Sequence, residues 1–291
     1  LELNLESEIQ NSQLRNIGLS VKFGLIGGGV MGEALLSRLI AREIYRPSEV
    51  IVSEPQASRQ SFLMQQYGVE VVADNRLVFT QAQEVVFLAV KPQIFSAIAQ
   101  ELAQELPEVI QRENSPLVIS ILAGVTLSQL EAAFPLAVIR AMPNTPATVG
   151  SGVTAITLGA YTKSNHIDTA QRLFAAVGEV VEVPENLMDA VTGLSGSGPA
   201  YVALFVEALT DGGVAAGLPR AIAQQLALQT VLGTATLLHE TKIHPAELKD
   251  RVTSPGGTTI AGVSQLEKAA FRSALIEAVK AATARSQELG G

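Results

Sequence analysis

The sequence predicts an α/β chain: a doubly wound sheet in its N-terminal part, followed by an all-helical domain. Three observations carry this prediction. Strand-sized apolar runs alternate with helix-length segments as far as Pro184. A glycine-rich turn, Gly27-x-Gly29-x-x-Gly32, joins the first apolar run to the first helical segment. Beyond Pro184 the strand-like runs stop, and alanine and leucine dominate.

The elements follow in order. Val21 to Ile26 is a short apolar strand, and the glycine turn leads into a helix through Ile40. Val50 to Ser53 forms the second strand, with a helix from about Ala57 to Tyr67. Val69 to Val72, Val85 to Val90 and Val118 to Ile121 continue as strands, with a helix from Gln93 to Glu105 between the last two. Leu136 to Arg140, Val153 to Leu158 and Glu179 to Val183 extend the sheet in directions the sequence leaves open, and a helix from about Asn165 to Ala176 precedes the last. In the helical part, Ala200 to Ala216 and Ala221 to Leu238 are apolar on more than one face, which points to helices interlocked with a second subunit. A last helix is expected from Ser254-Pro255-Gly256-Gly257-Thr258-Thr259 to about Gln287.

Composition narrows the function. With 291 residues, 47% hydrophobic and 16% charged, the chain has the length and apolar content of two folded domains. A net charge of −8 and a pI near 5.0 argue against nucleic acid and anionic membrane surfaces as partners. The absence of cysteine excludes disulfides, thiolate metal sites and cysteine nucleophiles, and fits a cytoplasmic protein. Mean hydropathy is +0.30, yet no apolar run is expected to reach the length of a membrane span, so a subunit interface is the expected sink for the surplus. The domain plan is a leader over residues 1–20 without signal-peptide character, a dinucleotide-binding domain over 21–183, and a helical dimerisation and substrate domain over 184–291.

The turn from Ile26 through Gly27, Gly28, Gly29, Val30, Met31 and Gly32 lies between strand and helix, where a dinucleotide fingerprint belongs. The first part is therefore expected to be Rossmann-like. Glu54, at the end of the second strand, has the placement to accept a ribose 2′-hydroxyl and repel a 2′-phosphate, whereas Ser58 and Arg59 have the chemistry to hold one. Ala89, Val90, Lys91 and Pro92 follow the strand end where open α/β sheets bind ligands. Asn75, Ala123, Gly124 and the stiff turn Pro143-Asn144-Thr145-Pro146 occupy comparable positions, balanced between turn chemistry and ligand contact. Asp211-Gly212-Gly213 inside a helical pattern indicates close helix packing or a bend. Backbone N–H groups near Gly257, Thr258 and Thr259 could hold a carboxylate, although on spacing alone an ordinary helix cap is the more frequent explanation. His239 and His244 miss the spacing of a helical ligand pair, so no metal is expected.

Five motifs in this order resemble pyrroline-5-carboxylate reductase. They are Gly27-Gly28-Gly29-Val30-Met31-Gly32, Phe87 to Pro92, Val138 to Pro146, Leu194-Ser195-Gly196-Ser197-Gly198-Pro199-Ala200-Tyr201 and Ser254 to Thr259. The likeness runs from about Val21 to the last helix. It implies reduction of 1-pyrroline-5-carboxylate to L-proline with NADPH, or with NADH as the alternative cofactor. It implies a cofactor track over Ile26 to Gly32, Glu54, Asn75, Ala89 to Pro92 and Ala123 to Gly124. It further implies that Gly257, Thr258 and Thr259 seat the substrate, with Thr259 as the catalytic hydrogen-bonding residue near the ring nitrogen or carboxylate. A homodimer, assembling up to a pentamer of dimers, is the implied partner state. Two competing readings are a 3-hydroxyacid dehydrogenase of the 6-phosphogluconate type and a non-enzymatic NAD(P) sensor. The first needs an interdomain lysine, and none lies between Lys163 and Lys242.

Overall fold

The computed structural model describes residues 20–290, so the leader expectation, apart from Ser20, lies outside the described residues. The chain divides into two compact units: one extends through Gly196 and takes back the chain from Arg285, and the other is Ser197–Ala284.

The first unit is built on an eight-stranded sheet. Its strands are β1 (Phe23–Ile26), β2 (Val50–Ser53), β3 (Glu70–Val72), β4 (Val85–Leu88), β5 (Leu117–Ser120), β6 (Val138–Met142), β7 (Gly152–Leu158) and β8 (Gly178–Glu182), in the spatial order β3-β2-β1-β4-β5-β6-β7-β8. All pairings are parallel except β6 with β7. Strand residues alternate between two buried clusters. Phe23, Leu25, Val50, Val52, Val85, Phe87 and Ile119 lie in one, and Ile26, Ile51, Val86, Leu88 and Val118 in the other. A sheet buried on both faces explains why these strands read as continuous apolar runs. Helices α1 (Val30–Ala41), α2 (Ala57–Tyr67), α3 (Asn75–Gln81), α4 (Phe95–Leu102), α5 (Leu106–Ile110), α6 (Leu127–Ala133) and α7 (Ser164–Ala175) connect the strands. Helices α3, α5 and α6 go beyond the sequence expectation. Asp74 caps α3 by accepting from the Arg76 N–H, and Thr126 and Gln129 form a capping box on α6.

Composition changes at Pro184, whereas the contacts divide at 196/197. Polar ties hold the intervening stretch to the sheet. Buried Arg140 on β6 pairs with Glu185 at 2.5 Å, and Glu185 also accepts from the Leu127 N–H. Helix α8 (Met188–Val191) carries Asp189, which accepts from the Ser286 hydroxyl at 2.7 Å. Thr192–Gly196 then forms one π-helical turn.

The second unit is helical: α9 (Gly198–Ala215), α10 (Arg220–Thr241), α11 (Pro245–Arg251), α12 (Thr258–Lys268) and most of α13 (Phe271–Gly290). Gly213 permits the close approach of α9 to α10, because a Cβ there would lie 3.0 Å from the Ala223 Cβ. Two expectations are corrected. The single last helix is two, broken where Ala270 takes a φ of +56°. Helix α10, with 22 residues, is long and apolar enough by length and composition to match a membrane span, contrary to the expectation that no apolar run reaches that length.

Candidate cofactor and substrate sites

Ile26, Ser53, Leu88 and Ser120 stand in register at the C-terminal ends of β1, β2, β4 and β5. The loops that follow these strands therefore line one edge of the sheet. Strand order reverses between β1 and β4, so a crevice opens between the glycine turn and Ala89 to Pro92, the place where doubly wound sheets bind ligands.

The glycine turn meets the demands of a pyrophosphate. Gly27 has a φ of +103°, and a Cβ there would lie 2.7 Å from the Ala89 carbonyl oxygen. Ala89 in turn donates its N–H to the Ile26 carbonyl at 2.8 Å, tying the two sides of the crevice together. At Gly29 a Cβ would meet nothing within 4 Å, so this face of the turn is open. Gly29 is also the N-cap of α1, and no side chain closes the helix start, which leaves first-turn N–H groups for an anion. Val30 is exposed, Met31 half-buried and Gly32 buried against the Gly27 carbonyl. These residues fit a dinucleotide.

Glu54 follows β2 and is 7% exposed. One carboxylate oxygen accepts from the Gly28 N–H at 3.2 Å and the other from the Gln56 N–H at 3.0 Å. The carboxylate is thereby pinned between the glycine turn and the start of α2. Arg59 points its charge elsewhere: Nε donates to the Gly28 carbonyl at 2.8 Å, Nη2 pairs with Glu33, and the guanidinium lies over the Phe62 ring. Tyr67 donates to the other Glu33 oxygen at 2.7 Å. Burial pushes the Glu33 carboxyl up, but the Tyr67 hydroxyl and Arg59 together hold it below the usual carboxylate range. Burial and the same hydrogen bond push the Tyr67 hydroxyl up to about 12. Sequence reasoning missed this clamp, since Glu33 and Arg59 stand 26 residues apart and neither carries a motif.

The remaining predicted track residues divide. Lys91 is exposed at the crevice and, among the described residues, forms no ion pair. Asn75 stands beside the strand edge, but its amide is engaged at both ends, accepting from the Ser53 hydroxyl and donating to Glu101. Ala123 and Gly124 follow β5, and Gly124, at φ +78°, lies against the backbone of Leu289 and Gly290 at the end of α13. In the Pro143 to Pro146 turn the Asn144 side chain accepts from the Val153 N–H, a turn-forming role.

Within the second unit, Gly257 is the N-cap of α12, with φ −79° and ψ 177° and no side-chain cap. The Thr258 and Thr259 side chains therefore do not close the helix, and its first N–H groups are left for an anion. The turn is tight. Gly256 has a φ of +67°, Gly257 donates to the Ser254 carbonyl at 3.1 Å, and a Cβ at Gly257 would come 2.3 Å from the Ser254 hydroxyl. Thr258 is exposed and Thr259 half-buried.

Comparison with known proteins agrees with this division. A family model described as pyrroline-5-carboxylate reductase dimerisation matches residues 185–289, and one described as NADP oxidoreductase, coenzyme F420-dependent, matches residues 22–124. The pyrroline-5-carboxylate reductase of Synechocystis is 60% identical over 94% of this chain and 99% of its own length. Among solved structures, the pyrroline carboxylate reductase of Plasmodium falciparum with NADP bound is 30% identical, with a TM-score of 0.83 over 94% of this chain and 99% of that one. The enzyme of Coxiella burnetii is 35% identical, with a TM-score of 0.83 over 94% of this chain and 100% of that one. Identity at this level along nearly the whole length, together with the matched helical domain, makes this chain a member of the pyrroline-5-carboxylate reductase family.

Proposed function

We propose that the chain reduces 1-pyrroline-5-carboxylate to L-proline, the last step of proline biosynthesis, with the sheet unit holding the cofactor and the helical unit holding substrate and partner subunit. The observation that carries this reading is the uncapped start of α12 at Gly257, inside the stretch matched by the dimerisation model. A helix start with free N–H groups takes a carboxylate without any cationic side chain, and the substrate carries one carboxylate. Gly257, Thr258 and Thr259 seat that group, and the Thr259 hydroxyl hydrogen-bonds near the ring nitrogen or the carboxylate.

The cofactor is a nicotinamide dinucleotide held by Ile26 to Gly32, Glu54 and Ala89 to Pro92, with Ala123 and Gly124 farther along the edge. Asn75 acts through its bond to Ser53, shaping the floor of the edge. Bound there, the reduced nicotinamide supplies a hydride to the carbon of the C=N bond. The protein has little acid–base work to do, because an imine that arrives protonated is already electrophilic; its task is orientation. The working assembly is a homodimer through the helical unit, the building block for a pentamer of dimers.

The test is oxidation of reduced nicotinamide with 1-pyrroline-5-carboxylate as substrate, with proline identified as product. Thr259→Val is expected to lower kcat/KM about 10- to 100-fold, the cost of about one hydrogen bond to a charged group. Full efficiency in that variant would remove Thr259 from the mechanism. Cofactor binding without turnover would favour a sensor, and turnover of a 3-hydroxyacid with NAD⁺ would favour a dehydrogenase.

A further inference from the structure

The two cofactors differ only at the adenosine ribose, by a 2′-hydroxyl or a 2′-phosphate, and that ribose belongs at the end of β2. Three features of this chain meet there. The Glu54 carboxylate is fixed in place by the Gly28 and Gln56 N–H groups, one on each oxygen. A carboxylate offers about four acceptor positions, so capacity remains for a hydroxyl donor. A phosphate has no proton to offer it and would bring a like charge to a mostly buried anion.

The cations that would offset such a phosphate are committed elsewhere. Arg59 is held by Glu33, by the Gly28 carbonyl and by the Phe62 ring. Arg76, after β3, is bound to Asp74 through Nε at 3.0 Å and Nη2 at 2.8 Å. Lys91 follows β4, on the far side of β1 from β2. At the start of α2 the exposed Ser58 is a neutral donor. The Gln56 N–H beside it is already taken by Glu54.

We infer that this chain selects NADH over NADPH, with Glu54 as the acceptor for the 2′-hydroxyl and the Glu33–Arg59–Tyr67 clamp as the second half of the selection, withholding Arg59 from a 2′-phosphate. The inference rests on the cofactor reading above and gives it a direction. Glu54 supplies attraction for the hydroxyl and repulsion for the phosphate, and discrimination commonly uses both. Glu33 acts through Arg59, whose guanidinium it holds.

The experiment is calorimetric titration of the purified oligomer with NADH and, separately, NADPH, without substrate. NADH is expected to bind at least about tenfold more tightly, a ratio equal to about 1.4 kcal/mol. Glu54→Ser should bring the two dissociation constants to within about threefold, and adding Glu33→Gln to free Arg59 should turn the preference toward NADPH. Arg59→Ala should leave the wild-type ratio unchanged even where it weakens both cofactors, because a clamped arginine does not touch the phosphate. Equal or tighter binding of NADPH by the wild type overturns the inference, as does an unchanged ratio in Glu54→Ser or a selective loss of NADPH in Arg59→Ala. Binding of neither cofactor would overturn the cofactor reading itself, an outcome distinct from a reversed ratio. The wild-type ratio needs no variant to fold.

Discussion

Gly29 and Gly32 belong to one turn yet answer to different constraints. A methyl group at Gly32 would lie 2.2 Å from the Gly27 carbonyl oxygen, so the helix must move to accept it. A methyl group at Gly29 would meet no protein atom within 4 Å and stands where a pyrophosphate approaches. Gly32→Ala is therefore expected to lower stability by about 1–3 kcal/mol, the usual cost of overpacking, and to weaken NADH binding with it. Gly29→Ala should keep the wild-type melting temperature while losing about tenfold or more in NADH affinity. Thermal melts of both variants beside calorimetric titrations separate the two cases, and loss of stability in Gly29→Ala would refute the assignment. The spacing of these glycines was legible in the sequence because the backbone constraint is local. The role of Arg59 was not legible: whether it meets a phosphate depends on Glu33 of α1, itself held by Tyr67, and only the fold brings that carboxylate to α2. The bonds of Asn75 were not legible for the same reason, since its partners Ser53 and Glu101 come from two other elements.

Elements were legible where a pattern had room to repeat. The strands buried on both faces and the longer helices came through to within a few residues. Helices α3 and α6 span 7 residues each, too short for a 3.6-residue period to register, and their signals were the capping residues Asp74 and Thr126. The direction of β7 depends on its connection: Pro143 to Ser151 is too short for a crossover helix, so the strand returns antiparallel to β6. The break between α12 and α13 lies in an alanine-rich stretch where propensity favours continuation. It is fixed by tertiary contacts instead, including Phe271 at the start of α13, whose ring lies 5.8 Å from that of Phe205 on α9. Ala270 occupies the position after the Ala269 C-cap with a φ of +56°, a site that favours glycine. Ala270→Gly should raise the unfolding free energy by about 0.5–1 kcal/mol, read as a higher denaturant midpoint at constant slope. A lower midpoint would mean that the alanine methyl contributes packing that outweighs the backbone strain.

At the scale of the whole molecule, the high mean hydropathy and the faces of α9 and α10 are one fact seen twice. The two helices pack on each other through small residues such as Gly213 and Ala223, which leaves their larger apolar side chains outside that contact. Leu204 is 66% exposed, and Leu228 and Leu232 are each 57% exposed. Burying one such leucine contributes about 1.5–3 kcal/mol, and a symmetric interface counts each side chain twice. A helix that meets the length and hydropathy of a membrane span can therefore arise from the demands of a subunit interface alone, which removes charge from its core. The matched dimerisation model covers all of α10, which makes a second copy of the same helices the expected covering surface. Leu232→Asp places a carboxylate, twice per dimer, in that surface. Sedimentation velocity should show the assembly shifting to a smaller species, with a melting temperature that has become more dependent on protein concentration. An unchanged assembly at every concentration would place the interface on a different face of the helical unit.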